Sequence, residues 1–200
     1  PCLSSLGRDG KNDVFFNNPF QVVSPQIFSG EVFVVPDNDS LVIHMVYSNE
    51  NITINKYTVF LSSSFVVKHS FVVSNNAGFG DVFSVNWLGG MRDTEFNRFE
   101  EATYSAAYVG QNKEISDLSI TPAQDFVPVK DFYSNSPEWV AIRNKYFVNS
   151  LISKDARGGF LGAETIKTTS NYLMPQYSMG LSFGSAQNIS VNQYFGPLDV

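Results

Sequence analysis

The segment that decides the fold is residues 40–61, which read SLVIHMVYSNENITINKYTVFL. Both halves are rich in β-branched and aromatic residues, which favour strands. In the second half Tyr57, Val59 and Leu61 recur with a period of two, as side chains on one face of a strand do. Polar residues 48–51 separate the halves as a turn does. The stretch therefore predicts a β-hairpin.

Further strands follow from the same pattern of short apolar runs between polar turns. They are predicted at residues 65–74, 83–87, 162–170, 177–183 and 188–194. Such a succession favours an antiparallel sandwich over a parallel sheet with crossover helices. A chain of 200 residues fits one large β domain and needs no disulfide, so we expect a single mainly β domain over 1–200.

One segment carries helix signals. Ser136 is a favourable N-cap residue, and Pro137 suits the first helical position. Residues of the following stretch recur at helical spacing, which predicts one helix near 137–151. The residues on its apolar side are Trp139, Ile142, Tyr146, Phe147 and Leu151. A second, weaker candidate for a short helix or ordered loop is 94–102.

Charge and hydropathy narrow the class of protein. The chain carries 13 basic and 19 acidic residues, a net charge of −6, and its basic residues are scattered singly. This distribution argues against binding to nucleic acid, which needs a basic surface. No apolar run approaches the ~18 residues of a spanning helix, and the opening Pro1-Cys2-Leu3 has neither a signal peptide nor an initiator methionine. We expect a soluble piece of a longer protein.

The residues give no positive sign of catalysis. His44 and His69 each stand alone within a predicted strand, and Cys2 is the only cysteine. The spacing of these residues supports neither a metal site nor a catalytic triad, so no metal, cofactor or catalytic residue is predicted. Glu95, Glu100 and Glu101 could supply paired carboxylates for glycoside hydrolysis, but a solvated acidic face explains them more simply.

Three segments resemble one known family. WVAI at 139–142 followed by KYFV at 145–148 is similar to the WVA…YF segment of the large periplasmic domain of YidC-type membrane protein insertases. VNQYFGP at 191–197 resembles the YxGP segment of that family, and TYSAAY at 103–108 resembles a stretch before the WVA segment. The order and separation of the three also suit the family. The family domain normally begins with additional strands, which residues 1–18 do not obviously supply.

The resemblance implies a galactose-mutarotase-like antiparallel β-supersandwich on the periplasmic side of the bacterial inner membrane. It further implies a non-catalytic scaffold that aids the insertion and folding of inner-membrane proteins. Implied partners are accessory subunits of the Sec translocon and, through the parent protein, nascent membrane proteins. We expect Trp139, Tyr146 and Phe147 to brace the sandwich against the following linker, or simply to pack in its core. Tyr194, Gly196 and Pro197 are expected to set the direction of the chain beyond them.

Two alternative functions are also compatible with the sequence. The aromatic and acidic residues also suit a carbohydrate-binding or carbohydrate-active sandwich, although neither histidine lies in a recognisable motif. A purely structural interaction domain, including one that captures extended peptides by strand addition, would need no catalytic group either.

Overall fold

The structure, a computed structural model, describes residues 2–6, 13–15, 20–25, 34–50, 52–75, 82–92, 94, 96–122, 128–167, 173–185 and 188–198. In chain order the first strands are β1 (Cys2–Leu6), β2 (Asp13–Phe15), β3 (Gln21–Ser24), β4 (Ser40–Ser48), β5 (Ile52–Leu61), β6 (Val66–Asn75) and β7 (Val82–Trp87). A helix, α1 (Arg98–Thr103), follows. The remaining strands are β8 (Ala106–Gln111), β9 (Glu114–Leu118), β10 (Val129–Tyr133), β11 (Trp139–Arg143), β12 (Phe147–Ile152), β13 (Gly158–Lys167), β14 (Leu173–Ser182) and β15 (Asn188–Pro197).

The strands form two sheets in which the paired neighbours are all antiparallel. Nine strands form the larger sheet, in the order β3-β4-β5-β6-β15-β12-β11-β8-β9. Six form the smaller sheet, in the order β10-β13-β14-β7-β1-β2. The predicted antiparallel sandwich is confirmed, and the large size of both sheets agrees with a supersandwich. The opening residues do supply strands, because β1 pairs with both β2 and β7.

Buried apolar side chains from both sheets form the core. Buried and more exposed residues alternate along strands such as β5 and β15, as expected where one face of a sheet packs on another layer. The most deeply buried include Ile54, Phe71, Leu151 and Val191 of the larger sheet and Val85, Leu161, Met179 and Leu181 of the smaller one.

The predicted hairpin at 40–61 is confirmed. Ser40 pairs with Leu61 and Ser48 with Thr53, so β4 and β5 are in register along their full length. The side chain of Asn49 accepts a hydrogen bond from the Ile52 backbone N–H (2.9 Å) and so helps to close the turn. The other strands predicted at 65–74, 83–87, 162–170, 177–183 and 188–194 correspond to β6, β7, β13, β14 and β15 with shifted bounds.

The predicted helix at 137–151 is wrong, because this segment forms a second hairpin. β11 and β12 pair with each other, and residues 144–146 form the turn between them. Ser136 has a φ of 50°, in the left-handed region, whereas an N-cap residue is extended. Val140, Ala141 and Ile142 are all buried, as in a strand that is covered on both faces. Hydrogen bonding to β8 on one side and β12 on the other overrides the local helix signals. The weaker candidate at 94–102 does contain a helix, α1.

Candidate interaction surface at the strand ends

A buried carboxylate joins α1 to the turn of the β11–β12 hairpin. Glu101 is 1% exposed, and its Oε1 accepts hydrogen bonds from the Thr94 hydroxyl (2.7 Å) and the Asn144 side-chain amide (2.7 Å). Its Oε2 accepts a third hydrogen bond from the Thr94 backbone N–H (2.8 Å). A charge so deeply buried is tolerated only when it is hydrogen-bonded in this way. The helix is therefore fixed to the hairpin by a polar contact.

Asn144 completes this contact between α1 and the hairpin turn, which we call the joint. Its side-chain oxygen accepts hydrogen bonds from the backbone N–H groups of Tyr146 (3.0 Å) and Phe147 (2.8 Å), which shapes the turn between the strands. Asn144 thus orders the hairpin turn with its oxygen and binds Glu101 with its nitrogen. The sequence alone revealed neither role, since Asn144 lay in the wrongly predicted helix and Glu101 was assigned to a solvated acidic face.

On the outside of the joint, Lys145 lies between two tyrosine rings. Its ammonium is 5.6 Å from the ring centroid of Tyr104 and 5.2 Å from that of Tyr146, and it forms an ion pair with Glu100 (3.1 Å). Contacts with the Tyr146 hydroxyl and then with the Glu100 carboxylate raise the pKa of Lys145. Both tyrosines are exposed, so this cluster presents aromatic surface to solvent.

The last strand ends in a compact arrangement around Gly196. The Tyr194 hydroxyl donates to the Pro197 carbonyl (2.9 Å), which folds the ring back over the strand. A Cβ at position 196 would lie 2.8 Å from both the Phe65 ring and the Tyr194 hydroxyl oxygen, so only glycine fits there. The rings of Phe65 and Tyr194 meet nearly edge to face at 6.2 Å.

The structure brings five of the six predicted interaction residues to one end of the nine-stranded sheet. Phe147 pairs with Pro197, and the Leu198 backbone N–H donates to the Tyr146 carbonyl (2.7 Å). Tyr194 and Gly196 belong to the same strand end. The chain therefore passes directly beside the β11–β12 turn at the end of β15.

Trp139, the sixth residue, lies at the other end of β11. Its ring covers Gly110 of β8, the residue with which it is paired, and a Cβ on Gly110 would overlap the indole. Trp139 is partly buried, so its contacts are those of ordinary packing. The expectation that it shares a docking face with Tyr146 followed from the helix, which placed the two residues on one side.

A row of buried polar side chains crosses the inner face of the larger sheet. His69 Nδ1 lies 3.2 Å from the Thr58 hydroxyl, and His69 Nε2 lies 3.0 Å from the Gln193 side-chain oxygen. The Gln193 amide in turn donates to the Asn149 side-chain oxygen (2.8 Å). Burial lowers the pKa of His69 to about 4, against the opposing effect of the Gln193 hydrogen bond. His69 is thus a neutral structural histidine at pH 7.

The carboxylates and histidines do not assemble into a catalytic site in the part of the chain that the structure describes. His44 stacks on Tyr57 and contacts the Asn55 side chain (2.9 Å), so neither histidine meets a carboxylate. Glu101 is occupied by its hydrogen bonds, and Glu95 lies outside the described residues. Within those residues there is no group of His, Cys, Asp and Glu that could hold a metal.

Helices are scarce in this fold. In the described part of the chain, no helix is long and apolar enough to cross a membrane.

Sequence comparison identifies the family. The model of the YidC periplasmic domain matches residues 18–200. The membrane protein insertase YidC of Chlorobium phaeovibrioides is 34% identical over 125 residues, which cover 60% of this chain and 21% of that protein. The protein of the same name from Chloroherpeton thalassium is 33% identical over 138 residues, 62% of this chain and 23% of that protein. The chain thus spans about a fifth of the length of these relatives.

Solved structures resemble the chain only loosely. An aldose 1-epimerase-like protein from Escherichia coli has a TM-score of 0.48 at 8% identity and covers 90% of this chain and 69% of that one. The α-galactosidase AgaA from Geobacillus stearothermophilus has a TM-score of 0.44 at 10% identity, covering 98% and 30%. At these scores the similarity carries no inference about a ligand.

The family model extends well beyond the 103–200 region in which the sequence motifs lie, and it includes the whole β4–β5 hairpin, which carries none of them. The protein of which this domain is part belongs to the inner membrane, with the domain on the periplasmic side. The chain belongs to the YidC periplasmic domain family.

Proposed function

We propose that this chain is a non-catalytic scaffold and interaction domain of a membrane protein insertase, which aids the insertion and folding of inner-membrane proteins. The observation that carries the proposal is the family match over 18–200, together with relatives named as insertases. Because those relatives are about five times longer than the matched region, the insertion step is assigned to the whole protein and a supporting role to this domain.

The joint at the strand ends suits a scaffold. Glu101 fixes α1 to the hairpin turn, and the Tyr194 hydroxyl clamps the end of β15 beside the same turn. Gly196 allows the close packing of Phe65 on this strand. A chain leaving along Pro197 would therefore keep a defined direction relative to the sandwich.

Accessory subunits of the Sec translocon are the proposed partners, and β9 is the proposed contact. It is the last strand of the nine-stranded sheet, and no described strand pairs with its outer side. Four of its five residues are exposed, and Ile115 is 67% exposed. An exposed edge strand offers backbone hydrogen-bonding groups to which an extended segment of a partner can add.

Photocrosslinking in the parent insertase tests this proposal. A photoreactive phenylalanine analogue at Ile115 should form an adduct with a Sec subunit in membranes. The same analogue at Ile166, which is also exposed but lies on β13 inside the smaller sheet, is the matched control. Absence of an adduct at Ile115, or equal adducts at both positions, would contradict the proposed contact.

The carbohydrate alternative gains no support from the described residues. It would need a free acidic group near a histidine, and Glu101 is occupied in the joint while His69 is bonded to Thr58 and Gln193. The likeness to carbohydrate enzymes has TM-scores below 0.5. We therefore propose no catalytic role for this domain.

A further inference from the structure

Among the residues whose side chains the structure describes, the exposed aromatic residues are concentrated at one end of the larger sheet. Eight aromatic side chains are exposed among the residues whose side chains are described. Phe132 lies on β10 of the smaller sheet. The other seven form what we call the aromatic rim: Phe60, Phe65, Phe96, Phe99, Tyr104, Tyr146 and Phe195.

The antiparallel order of the strands brings these seven residues together. The end of β5, the start of β6, the end of β15 and the start of β12 all lie at the same end of the sheet. The Phe195 backbone N–H donates to the Phe65 carbonyl (3.0 Å), which joins two members directly. Lys145 links Tyr104 to Tyr146, and the Glu101 joint attaches α1, with Phe99, to the same place.

The opposite end of the sheet has a different character. Its turns contain Asn49 and Glu50, Asn112 and Lys113, and Lys154 and Asp155, all exposed. Among the described residues no exposed aromatic side chain lies there, since the ring of Trp139 is laid over Gly110. Ile115 and Ile152 are exposed at this end, so in the described part of the sheet the two ends differ in exposed aromatic surface rather than in all apolar surface.

The dimensions and chemistry of the rim match a lipid–water interface. From β5 to β8 the rim spans five strand spacings, roughly 24 Å at ~4.8 Å each. Tyrosine is enriched at membrane interfaces, phenylalanine is typical of apolar faces that insert into the headgroup–acyl boundary, and lysine can extend its charge to the headgroups. Lys145 is already paired with Glu100, and the whole chain carries a charge of −6. Attraction to anionic headgroups therefore contributes little, and apolar insertion must supply the binding.

We propose that the aromatic rim docks on the lipid–water interface of the membrane beside which this periplasmic domain is held. The last described strand ends at the rim, because Leu198 is hydrogen-bonded to Tyr146. Docking would orient the sandwich with its strands pointing away from the bilayer and its polar turns farthest from it. The rim lies at the same end of the strands as the Glu101 joint. It is separate from the β9 contact proposed above for a protein partner, since Ile115 pairs with Gly110 near the opposite end.

Vesicle partitioning gives the first test. A rim variant of the 200-residue chain replaces Phe65, Phe99, Tyr104 and Tyr146 by serine. A matched control replaces four exposed apolar residues elsewhere by serine: Ile115, Phe132, Ile152 and Ile166. Partitioning into phosphatidylcholine vesicles should fall at least about tenfold in the rim variant and stay within about twofold in the control. Addition of phosphatidylglycerol should not increase it.

A tethered measurement covers the case of weak affinity or a variant that folds poorly. The chain is held on vesicles by a C-terminal hexahistidine tag and nickel-chelating lipid. Tyr104→Trp reports quenching by brominated acyl chains after the signal of Trp87 and Trp139, measured in the chain without this substitution, is subtracted. Quenching should fall at least about threefold when Phe65, Phe99 and Tyr146 are also changed to serine, with a melting temperature unchanged within a few degrees. A tether alone would quench both chains equally.

Three results would overturn the proposal. One is equal quenching of Tyr104→Trp with and without the other rim aromatics. Another is an equal loss of partitioning in the rim and control variants. Crosslinking of the rim to a protein with no lipid quenching would likewise assign it to a protein partner. None of these results bears on the crosslinking test at Ile115, so the two proposals fail separately.

Discussion

The two ends of the nine-stranded sheet use aromatic residues in opposite ways. At the end of the sheet opposite the aromatic rim, which we call the polar end, Trp139 lies flat on Gly110 and is partly buried. Its ring fills a gap between neighbouring strands. At the aromatic rim Tyr104 and Tyr146 stand in solvent on either side of Lys145. The same residue class thus serves packing at one end and forms surface at the other.

The difference lies in what anchors each end. Trp139 itself stabilises the polar end, whereas the rim is held by groups beneath it, above all by Glu101 and Asn144. Substitution of an exposed rim residue should therefore alter the surface with little change in stability. Substitution of Trp139 should lower the stability itself. The following three predictions, ordered by expected effect, test this contrast.

The largest effect is expected from Glu101→Ala. It removes the acceptor for three hydrogen bonds and leaves the Asn144 amide and the Thr94 N–H without it. The free energy of unfolding should fall by about 4 kcal/mol in chemical denaturation, since each buried polar group left unpaired costs about 1–3 kcal/mol. Glu100→Ala, the exposed neighbour, should cost less than about 0.5 kcal/mol. Similar losses from the two variants would show that Glu101 does not anchor the rim.

The next effect is a pH dependence that originates between the two ends, at His69. The folded state holds this histidine neutral down to a pKa of about 4, whereas the unfolded chain takes up a proton near pH 6.5. The contribution of neutral His69 to the free energy of unfolding is therefore fully present above about pH 6.5. It is lost as the pH falls towards 4, by roughly 3 kcal/mol in total. Unfolding curves measured at intervals across this range will show the slope.

His69→Gln and His44→Gln are the matched variants for that experiment. His69→Gln should flatten the part of the pH profile between 6.5 and 4, and His44→Gln should leave it in place. Retention of the slope in His69→Gln would assign the effect to another group.

The smallest of the three effects is expected at the polar end. Trp139→Ala should lower the free energy of unfolding by about 2 kcal/mol, less than for a fully buried tryptophan because the ring is partly exposed. Gly110→Ala should also destabilise the wild type, because the new Cβ would overlap the indole, yet should cost little in the Trp139→Ala background. Additive losses would exclude the contact as the cause. Tyr146→Ala at the rim should change stability by less than about 0.5 kcal/mol.

The two hairpins differ in how well the sequence predicts them. Residues 40–61 were predicted correctly because apolar alternation, β-branched residues and a polar turn all indicate the same structure. Residues 137–151 were not, because Trp139, Ile142 and Tyr146 fit a helix and a strand–turn–strand equally well in spacing. The deciding factor was pairing with β8 and β15, which are distant in the sequence.

The interaction residues divide in the same way. The sequence motifs identified Tyr146, Phe147, Tyr194, Gly196 and Pro197, and they lie together at the strand ends. Trp139 was grouped with them only through the predicted helix. Glu101 and Asn144 carried no visible signal, because a buried carboxylate and an exposed one look alike until a partner 43 residues away is placed beside it.

By itself the sequence determined the β class, the lack of an apolar run as long as a spanning helix and, through its motifs, the family. These depend on local periodicity, on composition and on short sequence motifs, all of which can be recognised without the folded structure. Only the tertiary structure decided which strands are neighbours, which carboxylate is buried, and that seven exposed aromatic residues share one end of a sheet. Each of these depends on contacts between distant segments, whose free energies arise only when the sheets assemble.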